Sequence, residues 1–302
     1  MDAPIFINKR IATFNKKIVI PGDKSLSIRW VLLASQATGK SKAYNLLMSE
    51  DVVAAIDSIK KLGIKVKKYK NYCEIVGNGI NGFKYTKNLT INAKNSGTLG
   101  RLLLGLLIKS PQKIKLIGDK SLSKRDFSRV TLPLEKFGAK FDYRIENKLP
   151  LSILGSLSPK GIKYLESKGS AQCKSSVMLA ALNSSGTTLI KAKKSRNHSE
   201  LLFKYLKIPI KIKKTKKYDF IDIKRPEKIR AFNYQIPGDI SSSAFFMVLT
   251  TLSKDSKLLI KGVNVNPSRI GVITILKKMG AKILLKNQRN YRGEKIADIL
   301  IK

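Results

Sequence analysis

Pro21-Gly22-Asp23-Lys24-Ser25-Leu26-Ser27-Ile28-Arg29 decides how this chain is read, because its core returns as Gly118-Asp119-Lys120-Ser121-Leu122-Ser123-Lys124-Arg125. The sextet GDKSLS is identical in both copies, and Pro237-Gly238-Asp239-Ile240-Ser241-Ser242-Ser243 is a weaker third echo. Each copy lies between a strand-like run and a helix-like or arginine-bearing run. Glycine allows close backbone approach, Asp and Ser cap a helix, and the free amides of a first helical turn attract phosphate or carboxylate. Lys and Arg add full positive charge, so the pattern predicts turns that hold an anion.

Working outward, residues 17–20 read as a strand running into the first turn, and residues 26–37 as a helix ended by Gly39. Residues 51–62 carry apolar side chains close to the i, i+3, i+4 stripe of a helix, Gly63 stops it, and residues 64–67 alternate as a strand does. The same ending recurs at Gly138, Pro209 and Gly280, a repeat of roughly 70 residues in four copies. Each copy also has a small-residue turn before a helix, at residues 21–25, 95–98, 169–172 and 237–242. The helix after residue 98 is apolar nearly all round, which predicts burial and leaves its N-terminus as the functional end. The class is α/β (α+β), built from supersecondary blocks, with a boundary between larger bodies near Pro237.

The chain has 302 residues, 43% of them apolar, enough for a large core in one domain or two. Lys+Arg number 60 against 20 Asp+Glu, a formal charge of +40. Nucleic-acid binding is the obvious reading of such a balance. The lysines, however, are spread along the whole chain and form neither a tail nor a continuous basic helix, so they read as solvated faces. Cys73 and Cys173 are isolated, which indicates neither a zinc site nor a disulfide framework and suits a reducing cytoplasm. His198 is the only histidine, which argues against triad or His-metal chemistry and reads as a cap or surface residue. No run reaches membrane-span length, and the first motif leaves little room for a removable leader. Asp239 reads as a cap, and Cys173 as a small core residue.

The six stretches PGDKSLSIR, NSGTLGR, GDKSLSKR, GSAQCKSS, SRNHSE and PGDISSSAFF, in this order and spacing, resemble the 5-enolpyruvylshikimate-3-phosphate synthase family, in its bacterial Ser-Ala-Gln branch. The resemblance runs from about Lys17 to the end. It implies the enolpyruvyl transferase fold, two bodies each of three βαβαββ units with buried parallel helices whose N-termini face a cleft. There shikimate 3-phosphate takes the enolpyruvyl group of phosphoenolpyruvate on its 5-hydroxyl and phosphate leaves, with no cofactor and no metal. It further implies that Lys24, Ser25 and Arg29 contact shikimate 3-phosphate, with Lys24 also reaching phosphoenolpyruvate and exchanging a proton. Gly97 and Arg125 match phosphoenolpyruvate contacts, Ser170, Ala171 and Gln172 the phosphate-holding turn, and Arg196 a further ligand of the shikimate phosphate. Glycine at position 97 implies sensitivity to glyphosate. A cytoplasmic monomer that binds neither nucleic acid nor membrane is expected.

Departures from the family pattern carry their own expectations. Ile28 stands where a polar residue is usual, and Asp126 replaces the proline after Arg125, placing negative charge beside a phosphate-binding arginine. Four of the family's six units are legible. A complete body at residues 21–236 and an incomplete one at 1–20 with 237–302 are expected, without the family's acid/base aspartate and later basic ligands. An uncovered apolar face and weak or absent turnover of this chain alone follow from that count. Two alternatives are a non-catalytic binding remnant and one half of a split enzyme completed by a separately encoded C-terminal piece. The cell-wall enolpyruvyl transferase has the same fold, but its reactive cysteine is missing from the loop at Asp119-Lys120-Ser121.

Overall fold

The computed structural model describes residues 11–302. The chain divides into two compact units, residues 22–236 and a smaller one of residues 1–21 with 237–302. Residues 1–10 of the second span lie outside the described residues. Pro21 falls in the smaller unit, where its carbonyl accepts the Asp239 amide at 3.1 Å.

In chain order, β1 (Asn15–Val19) is followed by α1 (Lys24–Ser35), β2 (Thr38–Tyr44), α2 (Glu50–Lys61), β3 (Lys65–Lys68) and β4 (Tyr72–Asn78). The next block is β5 (Thr90–Asn92), α3 (Gly97–Leu106), β6 (Ile114–Ile117), α4 (Ser128–Glu135), β7 (Lys140–Tyr143) and β8 (Leu151–Leu154). Then come β9 (Lys163–Glu166), α5 (Ala171–Ala181), β10 (Thr187–Lys193), α6 (His198–Tyr205), β11 (Ile210–Lys214) and β12 (Tyr218–Lys224). The last stretch holds β13 (Asn233–Gln235), α7 (Ile240–Leu252), β14 (Lys257–Asn264), α8 (Gly271–Lys278), β15 (Ile283–Tyr291) and β16 (Glu294–Ile301).

The strands form four four-stranded sheets, ordered β5-β6-β8-β7, β11-β12-β10-β9, β13-β2-β4-β3 and β1-β14-β16-β15. Each sheet has one parallel pair at an edge (β5 with β6, β9 with β10, β13 with β2, β1 with β14), and its other pairings are antiparallel, including a hairpin at the opposite edge, which is the strand pattern of the βαβαββ block that the resemblance implies. Two blocks are not contiguous in the chain. β13 arrives late to pair with β2, Asn233 opposite Lys42, and β1 precedes α1 but pairs with β14, Ile18 opposite Ile260. Pro21-Gly22-Asp23 and Pro237-Gly238-Asp239 therefore mark the two points where the chain passes from one unit to the other.

The repeat marker has a conformational cause. Past the second helix of each block, Gly63, Gly138 and Gly280 turn into the next strand with φ of +81°, +96° and +94°. This left-handed position costs a glycine nothing and closes the helix C-terminus. In the third block the position belongs to Lys207, at φ 56°, and not to Pro209. The first helix also differs from expectation. α1 stops at Ser35, where the Gln36 amide turns back to the Leu33 and Ala34 carbonyls, and Gly39 lies inside β2.

Helices α1, α3 and α5 are buried along nearly their whole length. Ile28, the departure from the family's polar residue, is fully buried in this core. α3 lies directly on α5, where a Cβ on Gly105 would stand 2.2 Å from the Ser176 carbonyl oxygen. Only glycine permits that approach, and Ser176 Oγ donates to the Arg101 carbonyl across it at 2.8 Å. α7, the corresponding helix of the smaller unit, is covered on one side only. Ile240 and Met247 are buried, while Phe245 and Leu252 are 79% and 81% exposed, and the helix carries no charged residue. No helix of the described residues is long and apolar enough to cross a membrane.

Candidate functional site

The first helix of each block opens on one of the small-residue turns, and the residue before it caps it through its side chain. Asp23 accepts the Leu26 amide at 2.9 Å, Ser96 the Leu99 amide at 3.3 Å, Ser170 the Cys173 amide at 3.3 Å and Asp239 the Ser241 amide at 2.8 Å. None of the N-cap residues of α2, α4, α6 or α8 makes such a bond. Each cap satisfies one amide of a first turn and leaves the rest of that turn's positive end to an incoming anion.

The twin sextets share their cap and then diverge. Asp119 Oδ1 accepts the Leu122 amide at 2.6 Å, as Asp23 does for Leu26, but the second copy makes only the 3₁₀ turn Leu122–Lys124 before Arg125 leaves in extended conformation. Leu26, Ile28, Trp30 and Val31 carry the first copy on into the core. Lys124, Arg125 and Asp126 offer the second copy nothing to bury.

On α1, Lys24 is about half exposed and its Nζ lies 3.4 Å from Asp51 Oδ2 of α2. Ser25 follows, its carbonyl accepting from Arg29 Nη1 at 3.0 Å. Arg29 is not a surface cation, being only 5% exposed, with Nε donating to Ser199 Oγ at 2.8 Å and Nη2 to Ser175 Oγ at 3.0 Å. The two hydroxyls are 2.7 Å apart. Arg29 thus ties the first turn of α1 to α5 and α6, and its charge lies beneath the turn that carries Lys24 and Ser25.

A second group forms where α3 meets α5. Gln172 Nε2 donates to Thr98 Oγ1 at 2.9 Å, and its Oε1 accepts from Arg101 Nη1 at 2.8 Å. A Cβ built on Gly97 would stand 2.8 Å from Arg101 Nη1 and 3.1 Å from Arg125 Nη1, so both guanidinium groups crowd this glycine. Arg125 Nη2 donates to Asn95 Oδ1 at 3.2 Å, and Asn95 Nδ2 to Asp119 Oδ2 at 2.6 Å. Burial lowers the Arg101 pKa, and the neighbouring Arg125 and Arg129 push it the same way against Cys173 and Asp126. Several cations held close at a helix N-terminus suit a multiply charged anion.

Asp126 keeps its negative charge beside these arginines, as the sequence predicts. Its Oδ1 accepts the Ser128 amide at 2.7 Å and its Oδ2 the Ser128 hydroxyl at 2.9 Å, and these bonds, led by the hydroxyl, hold its pKa below the ordinary value. Ser170 and Ala171 begin α5 directly before Gln172. Arg196 is exposed on the loop between β10 and α6, three residues before Ser199. His198 is 1% exposed at the first position of α6, beside the N-cap Asn197, so of the cap and surface roles read from the sequence the surface one does not hold. Asp239 is a cap that also pairs with Arg269 Nη2 at 3.2 Å. Cys73 and Cys173 are free and buried. Among the described residues no group of three or more His, Cys, Asp or Glu is placed to hold a metal ion.

Sequence reasoning passed over Arg101, Thr98, Ser175 and Ser199. Arg101 was within reach, since it follows Gly97 by four residues and shares its helix face. Also unforeseen is the ion pair of Lys174 and Glu200, 2.6 Å apart with side chains 0% and 4% exposed, linking α5 to α6.

Known proteins resemble this chain in sequence and fold. A relative from Thermoanaerobacter sp. (strain X514), a 3-phosphoshikimate 1-carboxyvinyltransferase, is 40% identical over 286 residues, 94% of this chain and 66% of its own length. The Bacillus subtilis (strain 168) protein of the same name is 37% identical over 294 residues, 97% of this chain and 67% of its own. An EPSP synthase from Acinetobacter baumannii superposes with a TM-score of 0.86 at 35% identity, covering 96% of this chain and 66% of that one. The chain spans about two thirds of the length of the relatives it matches. Residues 9–301 match the family of EPSP synthase (3-phosphoshikimate 1-carboxyvinyltransferase), and the chain belongs to it.

Proposed function

We propose that this chain takes part in transfer of the enolpyruvyl group of phosphoenolpyruvate to the 5-hydroxyl of shikimate 3-phosphate, with release of phosphate, as a cytoplasmic step toward aromatic amino acids. In this reading unit 22–236 is the shikimate 3-phosphate side. Ser170, Ala171 and Gln172 hold the phosphate at the start of α5 with Arg196, and Lys24 and Ser25 hold the ring substituents over the buried charge of Arg29. Lys24, Gly97 and Arg125 receive phosphoenolpyruvate, with Lys24 as the proton-exchanging group.

The observation that carries the reading is the crowding of Arg101 and Arg125 around Gly97, bridged to the α5 turn through Gln172. No side chain at position 97 competes with a ligand for that space. Calorimetric titration of the purified chain with shikimate 3-phosphate tests it, followed by phosphoenolpyruvate and a phosphate-release assay. Saturable binding that weakens at least tenfold in Arg125→Ala or Ser170→Ala is expected. Absence of binding to both substrates in a folded chain overturns the reading.

A further inference from the structure

An open pocket of about 270 Å³ lies between α4 and the edge strand β9. None of Lys24, Gly97, Arg125 or Gln172 lines it, although Ser128 and Arg129 do and adjoin the cluster described above. Leu132 and Pro133 form one wall and Tyr164 and Leu165 the other, with Leu132 and Leu165 each 57% exposed. Apolar walls that stay open to solvent gain from being covered.

Glu166 belongs to the same lining although it is only 2% exposed. Its Oε1 accepts the Lys168 amide at 3.2 Å, and Arg129 Nη2 stands 4.0 Å from that oxygen, too far for a hydrogen bond. Oε2 is buried and has no donor. A buried carboxylate oxygen left without a donor is costly, and the soft terminal torsion of glutamate lets it turn toward a donor that enters the pocket. Burial raises the Tyr164 pKa, with Cys173 and Glu166 adding to it, which marks this wall as poorly hydrated. Arg129, Lys136 and Lys168 meanwhile carry positive charge around the same cavity.

The pocket thus asks for a donor near Glu166, an anion near Arg129 and apolar bulk between its walls. A phosphate or a simple carboxylate would meet Glu166 without satisfying it, and a simple amine would face the cations unaccompanied. Sites for drug-sized ligands start near ~300 Å³, so this volume suits something smaller. We propose that this pocket binds a free α-amino acid with an apolar side chain, its ammonium donating to Glu166 Oε2 and its carboxylate held by Arg129.

Calorimetry on the intact chain with L-phenylalanine and L-leucine, set against 3-phenylpropionate and 2-phenylethylamine, tests this directly. Both amino acids are expected to bind, and phenylalanine at least tenfold more tightly than either of its half-analogues. In Glu166→Gln, phenylalanine and 3-phenylpropionate should bind alike, and in Arg129→Ala phenylalanine should lose its advantage over 2-phenylethylamine. No saturable binding of either amino acid overturns the proposal. So does a half-analogue that binds the unaltered chain as well as phenylalanine, or a folded Glu166→Gln that binds phenylalanine unchanged. The analogue series uses the unaltered chain, so it decides the matter even if a variant fails to fold.

Discussion

Arg101 Nη1 donates to Gln172 Oε1 at 2.8 Å, one of two bonds by which Gln172 holds the start of α5 against the first turns of α3. Gln172→Ala leaves that guanidinium without its acceptor and Thr98 without its donor. A loss of about 1–2 kcal/mol is expected, read as a lower urea midpoint by circular dichroism. Affinity for shikimate 3-phosphate should fall with it, because the turn that Gln172 anchors is the one proposed to hold the phosphate.

Gly97→Ala separates binding from stability. The added carbon meets the ends of Arg101 and Arg125, two flexible side chains that can retreat. Alanine is favoured over glycine in a helix by up to about 1 kcal/mol, so the melting temperature should hold or rise. The displaced guanidinium groups should weaken phosphoenolpyruvate binding about tenfold and leave shikimate 3-phosphate nearly unaffected, which titration with each substrate would separate.

Lys207 occupies at φ 56° the turn position that glycine fills in the other three blocks. Lys207→Gly should stabilise the chain by roughly 0.5–1 kcal/mol, since the left-handed conformation is the one glycine adopts freely. Chemical denaturation showing a loss of stability would mean that the lysine side chain contributes more than its backbone costs.

Lys174 and Glu200 make a buried pair at 2.6 Å. Lys174→Met or Glu200→Gln alone should cost about 3–5 kcal/mol, because each leaves an uncompensated buried group. The double variant should recover much of that loss. A double-mutant cycle by urea unfolding measures the coupling, and additive losses would show that the two residues act independently.

Alkaline stability has a defined sign. Burial pushes the Cys73 thiol up from 9.0 to about 11 and the Tyr85 hydroxyl from 10.0 to about 12. Between those values the native chain keeps protons that the unfolded chain releases, so stability falls as pH rises through about 9 to 12. Urea midpoints measured across that range should decline, and Cys73→Ala should flatten the first part of the decline.

Much of this was legible in the sequence because the block carries its own punctuation. A capped turn before the first helix and a left-handed turn after the second recur with local chemical causes, and both survive in single residues such as Ser96 and Gly138. Lys207 escaped notice because only geometry identifies it, and Pro209, two residues on, offered a more visible signal. Arg29 reads from its motif as a substrate contact, and the burial that the structure adds depends on Ser175 and Ser199, which reach it from far along the chain. No local pattern predicts a contact of that span. The wall of the Glu166 pocket is likewise formed by two segments that carry no shared motif.

The pairing of β2 with β13 sets a timetable for biosynthesis. Lys42 and its partner Asn233 are separated by 191 residues, so at about 5–20 residues per second the first block waits on the order of 10–40 s for its last strand. The blocks built from β5 to β8 and from β9 to β12 are contiguous and are free to form as they emerge. The block that is translated first is therefore the last of the larger unit to close. Until then, one edge of β2 is a place where a nascent chain is open to wrong partners.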